Sequence, residues 1–157
     1  MMTPSEKILR YEDLGREISA VLYGEVDLIA RMATISNILH HAFPQYYWTG
    51  FYLVDPKRPK ELVVGPYQGS LGCLRIPFGK GVCGAVANSG TAHIVEDVHA
   101  FPGHIACDVQ SQSEIVLPVH DETGALIAVF DVDSDQKAQF DDVDREGLEA
   151  ILTANFS

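Results

Sequence analysis

The chain reads as an α+β protein: an antiparallel sheet with helices from both ends of the sequence packed on it. Three observations predict this. Both ends carry helical periodicity. The middle is a series of short runs rich in aromatic and β-branched residues, and most of these runs are joined by hairpin-length turns rather than helical crossovers. At 157 residues a single domain over 1–157 is expected, with N-terminal helices in 1–43, a sheet with its loops in 46–134 and a C-terminal helix in 140–154.

The first helix is expected from Thr3-Pro4, since proline is tolerated in the first turn, and it should stop near Gly24. In the second, Leu28, Met32, Ile35, Leu39 and Ala42 recur at spacings of four and three, which lines one face of an amphipathic helix ending before Pro44. The pattern then changes period. YYWTGFYLV (46–54) is a strand, DPKRPK (55–60) a hairpin turn and ELVVGPYQG the return strand. SLGCLRIPF (70–78) is a third extended run, and GKGVCGAVANSG opens as a glycine turn and becomes a short helix ending at Gly90. AHIVEDV is a fourth strand. EIVLPVH and ALIAVFDVD form a hairpin about DETG, and FDDVDREGLEAILTANF is a last helix capped by aspartate.

Between the fourth strand and the hairpin runs a long segment rich in Gly, Pro, His, Ser and Asp (93–114). Loops of that length inside a compact domain usually close over something. It carries Cys107, which a neighbouring His104 or loop N–H groups could activate as a thiolate nucleophile. The other thiols are Cys73, in the third extended run, and Cys83, at the start of the short helix. Either could condense with a sulfenic acid formed at Cys107, and the helix N-terminus would lower the pKa of Cys83.

Composition narrows the classes of function. A net charge of −11, from 11 Lys+Arg against 22 Asp+Glu, leaves no basic face for nucleic acid. No apolar run reaches the roughly 20 residues of a membrane span, and the polar N-terminus is unlike a signal peptide, so a cytoplasmic location is expected. No CxxC or HxxxH pair suggests a metal site. Strand alternation puts Asp131 and Asp133 on one face, with Glu114 opening the strand before, and carboxylates on an apolar sheet are costly unless paired or used. They could bind an ammonium group or donate a proton. Trp48 and Tyr52 also share a face, either as a pocket wall or as core. The glycine turn 79–84 could hold an anion on exposed N–H groups.

The segments YWTGFYLV, LVVGPYQG, CLRIPFGKGVCGAVA, EDVHAFPGHIACDVQSQSEIVLPV and VFDVDSD resemble the free methionine-(R)-sulfoxide reductases, a family built on the GAF fold. The order GKGVCG then HAFPGHIACD, with all three cysteines in place, is the specific part. The resemblance implies a six-stranded antiparallel sheet, a homodimer, free methionine (R)-sulfoxide as substrate and thioredoxin as reductant. It implies no metal, flavin or nicotinamide. Cys107 then matches the catalytic cysteine, Cys73 the usual resolving cysteine and Cys83 an alternative resolver. Glu114, Asp131 and Asp133 match active-site carboxylates, and Trp48 and Tyr52 the substrate-contacting aromatics. The alternatives are a non-catalytic GAF sensor domain that binds a small molecule, or a cysteine hydrolase using Cys107 and His104.

Overall fold

The computed structural model describes residues 2–105 and 107–157; Met1 and Ala106, the latter inside the loop singled out above, lie outside the described residues. In chain order the elements are α1 (Pro4–Val21), α2 (Leu28–Ala42), β1 (Trp48–Asp55), β2 (Arg58–Gln68), β3 (Arg75–Pro77), α3 (Gly81–Ser89), β4 (His93–Val95), β5 (Ser113–His120), β6 (Leu126–Ser134) and α4 (Asp142–Phe156). The strands form one six-stranded sheet in the order β3-β2-β1-β6-β5-β4, with every neighbouring pair antiparallel. Among the described residues no helix is long and apolar enough to cross a membrane.

Local chemistry sets the helix ends. The Thr3 hydroxyl accepts from the Glu6 N–H while the Glu6 carboxylate accepts from the Thr3 N–H, a reciprocal capping box with Pro4 at the first helical position. Asp27 caps α2, and Asp141 caps α4 through the amides of Val143 and Asp144. α3 ends on Gly90 in the left-handed conformation, as its sequence implies.

Alternation along the three central strands gives the sheet two distinct faces. Phe51 on β1, Ile115, Leu117 and Val119 on β5, and Ala128, Phe130 and Val132 on β6 pack against Tyr11, Leu14 and Ile18 of α1, Met32, Ile35 and Leu39 of α2, and Leu148, Ile151 and Leu152 of α4. Each such aliphatic side chain stabilises the fold by about 1.5–3 kcal/mol on burial. The helical stripe read from α2 is therefore the buried one, except that its first member, Leu28, is exposed and its last, Ala42, is half-buried. The opposite face carries Trp48, Tyr52, Val116 and Val129 and is covered by Val82, Cys83, Val86 and Ala87 of α3.

Three boundaries differ from the sequence reading. The β1–β2 turn is tighter, since β2 already begins at Arg58. The third run pairs only over Arg75–Pro77, against Glu61–Val63 of β2, so Cys73 lies in a loop and not in a strand. Pairing stops where β2 bulges: its register on β1 shifts between Gly50↔Tyr67 and Tyr52↔Val64, which turns β2 away from its outer neighbour. The fourth strand is similarly short, and Val98–Ala100 form a 3-10 turn.

Candidate active site

Register assembles the site from residues far apart in sequence. Trp48 on β1 pairs with Asp133 on β6, which pairs in turn with Glu114 on β5. Asp131 sits between Gly50 and Val116 in the next row on that face. Two rows of one face thus hold Trp48, Asp133, Glu114 and Asp131, and α3 lays Cys83 over them with its sulfur 3.9 Å from Glu114 Oε2. These residues line one cleft with Tyr52, Cys107, Ile105, His104 and Ser111, whose cavity volume is about 50 Å³.

The walls are aromatic. Trp48 and Tyr52 are each 3% exposed, and the Trp48 ring stacks between Tyr52, 5.5 Å away, and Tyr67, 5.0 Å away. Tyr67 escapes a reading by strand alternation because the β2 bulge shifts its parity. The close approach also explains Gly50, where a Cβ would fall 2.3 Å from that of Tyr67. The Trp48 indole N–H donates to the Ser70 carbonyl at 2.9 Å, which fixes the ring against the Cys73 loop.

The floor is a cluster of carboxyl groups in a setting that favours protons. Burial raises the Glu114 carboxyl well above its usual range, with the Asp131 charge adding to it. Burial, then the nearby Asp133 charge, pushes Asp131 up to about 8. Asp133 is raised by burial and by Glu114, although Ser111 Oγ donates to its Oδ1 at 3.1 Å. Asp131 is 4% exposed, and its Oδ1 finds no hydrogen-bond partner among the described residues. Buried polar atoms are nearly always paired, so this oxygen, on a residue that lines the cleft, is in want of a donor.

The thiols divide into two kinds. Cys73 and Cys107, on the two loops that rim the cleft, are joined as a disulfide with Cα atoms 5.3 Å apart. The loops are also sewn together beside it, since Ser70 Oγ donates to the Asp108 carboxylate, which in turn accepts from the Gln110 N–H at 2.8 Å. Those bonds, Ser70 first, hold the Asp108 carboxyl below its usual range. Cys83 is a free, buried thiol, and its pKa is raised by burial and then by Asp131. The expectation of a depressed value from the α3 N-terminus is overturned, because desolvation beside carboxylates outweighs a helix dipole. His104 lines the cleft, but burial lowers its pKa, so it is no fixed cation beside Cys107.

Part of the glycine turn serves the fold itself: the N–H groups of Gly79, Lys80, Gly81 and Gly84 donate to the carbonyls of Gly84, Pro77, Gly103 and Lys80. Gly84 is required by closeness: a Cβ there would meet the Pro77 carbonyl oxygen at 2.5 Å.

Such a cleft sets a disulfide-bonded cysteine pair beside a carboxyl cluster whose burial favours the protonated forms. The comparisons with known proteins agree with that chemistry. The GAF domain family model matches residues 33–154. Over 142 residues the chain is 42% identical to the free methionine-R-sulfoxide reductase of Escherichia coli, covering 90% of this chain and 84% of that one. Over 148 residues it is 39% identical to the Saccharomyces cerevisiae enzyme of the same name, covering 92% and 78%. Its fold is similar to the X-ray structure of free methionine-R-sulfoxide reductase from Neisseria meningitidis in complex with its substrate, with a TM-score of 0.89, 42% identity and coverage of 98% and 90%.

Proposed function

This chain belongs to the GAF-domain family, within the free methionine-R-sulfoxide reductases, and from that premise we propose that it reduces free methionine (R)-sulfoxide to methionine through Cys107 and Cys73. The observation that carries the reading is the unpartnered Asp131 Oδ1, set among buried carboxyls whose pKa is raised, under an aromatic wall and beside the Cys73–Cys107 pair.

In the reduced enzyme the Cys107 thiolate attacks the sulfoxide sulfur while a carboxylic acid delivers a proton to the oxygen. Methionine leaves with its sulfur reduced, and Cys107 becomes a sulfenic acid. The Cys73 thiol then attacks the Cys107 sulfur, its proton passes to the departing hydroxyl, which leaves as water, and the disulfide forms. A dithiol such as thioredoxin opens it by exchange, becoming oxidised itself. No metal, flavin or nicotinamide enters the cycle. Cys73 is the better resolving residue than Cys83, because its loop already meets Cys107 whereas Cys83 is buried with a raised pKa.

Glu114 is the proton donor in this reading, and Asp131 takes the substrate ammonium. The arriving cation lowers the Asp131 pKa and completes its free oxygen, while burial keeps the Glu114 proton in place for the sulfoxide. Trp48 and Tyr52 flank the methyl and methylene groups, and Asp133, tied to Ser111, shapes the floor. A site that engages the free amino group rejects a methionine within a polypeptide, whose amide nitrogen carries no charge. A cavity of about 50 Å³ has room for a few waters and not for an amino acid, so the disulfide form corresponds to the closed end of the cycle, and the Cys107 loop opens on reduction.

The whole of 1–157 acts as one domain in this scheme, in the cytoplasm where thioredoxin is found. A homodimer fits the apolar side chains exposed on α1 and near the start of α2, among them Leu9, Val21, Val26 and Ile29. The decisive experiment follows thioredoxin-dependent loss of free methionine (R)-sulfoxide. Cys107→Ser should lower the rate by roughly a thousandfold or more, and Cys73→Ala should retain one turnover without recycling. Full turnover by Cys107→Ser would sink the scheme; sulfoxide that binds unchanged with no disulfide formed would favour a sensor.

A further inference from the structure

The cleft floor holds a donor set that amino-acid binding does not exhaust. Cys83 Sγ and one carboxylate oxygen each from Glu114 and Asp131 lie within 4.8 Å of one another, all three residues buried. They come from α3, β5 and β6, so no sequence spacing announces them. Acidic groups alone would say little. Here Asp131 is also 4% exposed and lines the cleft, with an oxygen that lacks a partner among the described residues, so the cluster has an acceptor to spare for a ligand. An ammonium group would satisfy that oxygen but gives no reason for a sulfur at its side. Sulfur and carboxylate oxygen together suit a borderline-soft divalent cation, and three protein ligands leave a fourth position open.

From this donor set we infer that, with the Cys107 loop open, the cleft binds a divalent cation of the zinc class through Cys83 Sγ, Glu114 and Asp131, and that the ion excludes the substrate ammonium. No redox change is involved: metal–sulfur and metal–oxygen bonds form, and the protons of the ligands pass to solvent. Hard cations such as Mg²⁺ compete poorly, since they prefer an all-oxygen shell. Free zinc would therefore hold the reduced enzyme idle. Binding of the ion stands on geometry, whereas the exclusion of substrate rests on the functional reading above.

The test uses Cys73→Ser/Cys107→Ser, which leaves Cys83 as the sole thiol of the chain. Titration with Co²⁺ should give a thiolate-to-cobalt charge-transfer band that saturates and that Zn²⁺ abolishes. Adding Cys83→Ser, a near-isosteric change, should remove the band. Asp131→Asn in the double variant should weaken Co²⁺ binding by roughly tenfold or more. No band, or a band indifferent to Asp131→Asn, overturns the site. Free methionine sulfoxide should bleach the band progressively. Calorimetry on the metal-free double variant separates the two ways that this last step can fail. Sulfoxide that binds without bleaching overturns the exclusion. Sulfoxide that does not bind at all overturns the functional reading of the cleft and leaves the cation site standing.

Discussion

On the helical side of the molecule, Asp144 of α4 is 1% exposed, and both its oxygens are engaged: Tyr11 donates at 2.6 Å to one, Lys7 at 2.9 Å to the other. The Tyr11 hydroxyl also meets that of Tyr46 at 2.6 Å, so a closed network ties α1 and α4 to the chain leading into β1. Across the sheet, Asp131 is 4% exposed, surrounded by other carboxyl groups and left with a free oxygen. Two buried aspartates in one fold thus serve opposite ends. One is satisfied by partners that fix helices in place; the other has an oxygen without a partner among the described residues, which the proposed function assigns to the substrate ammonium. Unpaired buried polarity costs stability, and a site that binds through it recovers that cost only with its ligand.

The comparison predicts that substitutions on the two faces separate activity from stability. The largest effect belongs to Glu114→Gln, which keeps the shape but cannot deliver a proton; kcat should fall by about a thousandfold, near 4 kcal/mol, with the melting temperature hardly changed. Next is Asp144→Ala, which strands Lys7 and Tyr11 and should cost about 3 kcal/mol in chemical denaturation while kcat/KM stays within about threefold. Equal kinetic loss in both variants would break the distinction between the faces.

Asp131→Asn should raise KM and lower kcat/KM by roughly thirtyfold, about 2 kcal/mol, without loss of stability. A destabilisation as large as that of Asp144→Ala would mean that Asp131 is structural after all. The weakest signal is in the pH dependence. Asp131 rises from a usual 3.8 to about 8 in the fold, so between those values the folded chain holds a proton that the unfolded chain has released. Its contribution to stability is complete below the lower value and declines as pH rises to the upper one. Measured without substrate, wild-type stability should fall relative to Asp131→Asn from about pH 4 to about pH 8 and run parallel above it. A difference growing in the other direction would show that the carboxyl is stabilised in its charged form.

How far the sequence reached depends on the range of the forces involved. The helical stripe Met32, Ile35, Leu39 and the alternation of Phe130 and Val132 with Asp131 and Asp133 follow from fixed periods of 3.6 and 2, so the elements and the faces they bury are written in the chain itself. The same period placed Trp48 with Tyr52. It missed Tyr67, because a bulge adds a residue that alternation does not count. It also extended the third and fourth strands too far, because strand length depends on a partner and β2 turns away from β3 where it bulges. Motif order, in GKGVCG followed by HAFPGHIACD, carried the family and with it the roles expected of the thiols.

What the sequence by itself determined is therefore the α+β class, the order of helices and strands, and the residue types that any site would draw on. Tertiary structure decided which of them meet. Cross-strand register set Trp48 beside Asp133 and Asp133 beside Glu114, and loop packing brought Cys73 to Cys107. It also reversed the reading of Cys83: a helix N-terminus favours a thiolate in isolation, but the carboxyl groups and apolar side chains that close over it are contributed by distant strands, and their combined desolvation and charge oppose ionisation. Local propensity is encoded in neighbouring residues, whereas burial and electrostatic environment belong to the folded chain as a whole.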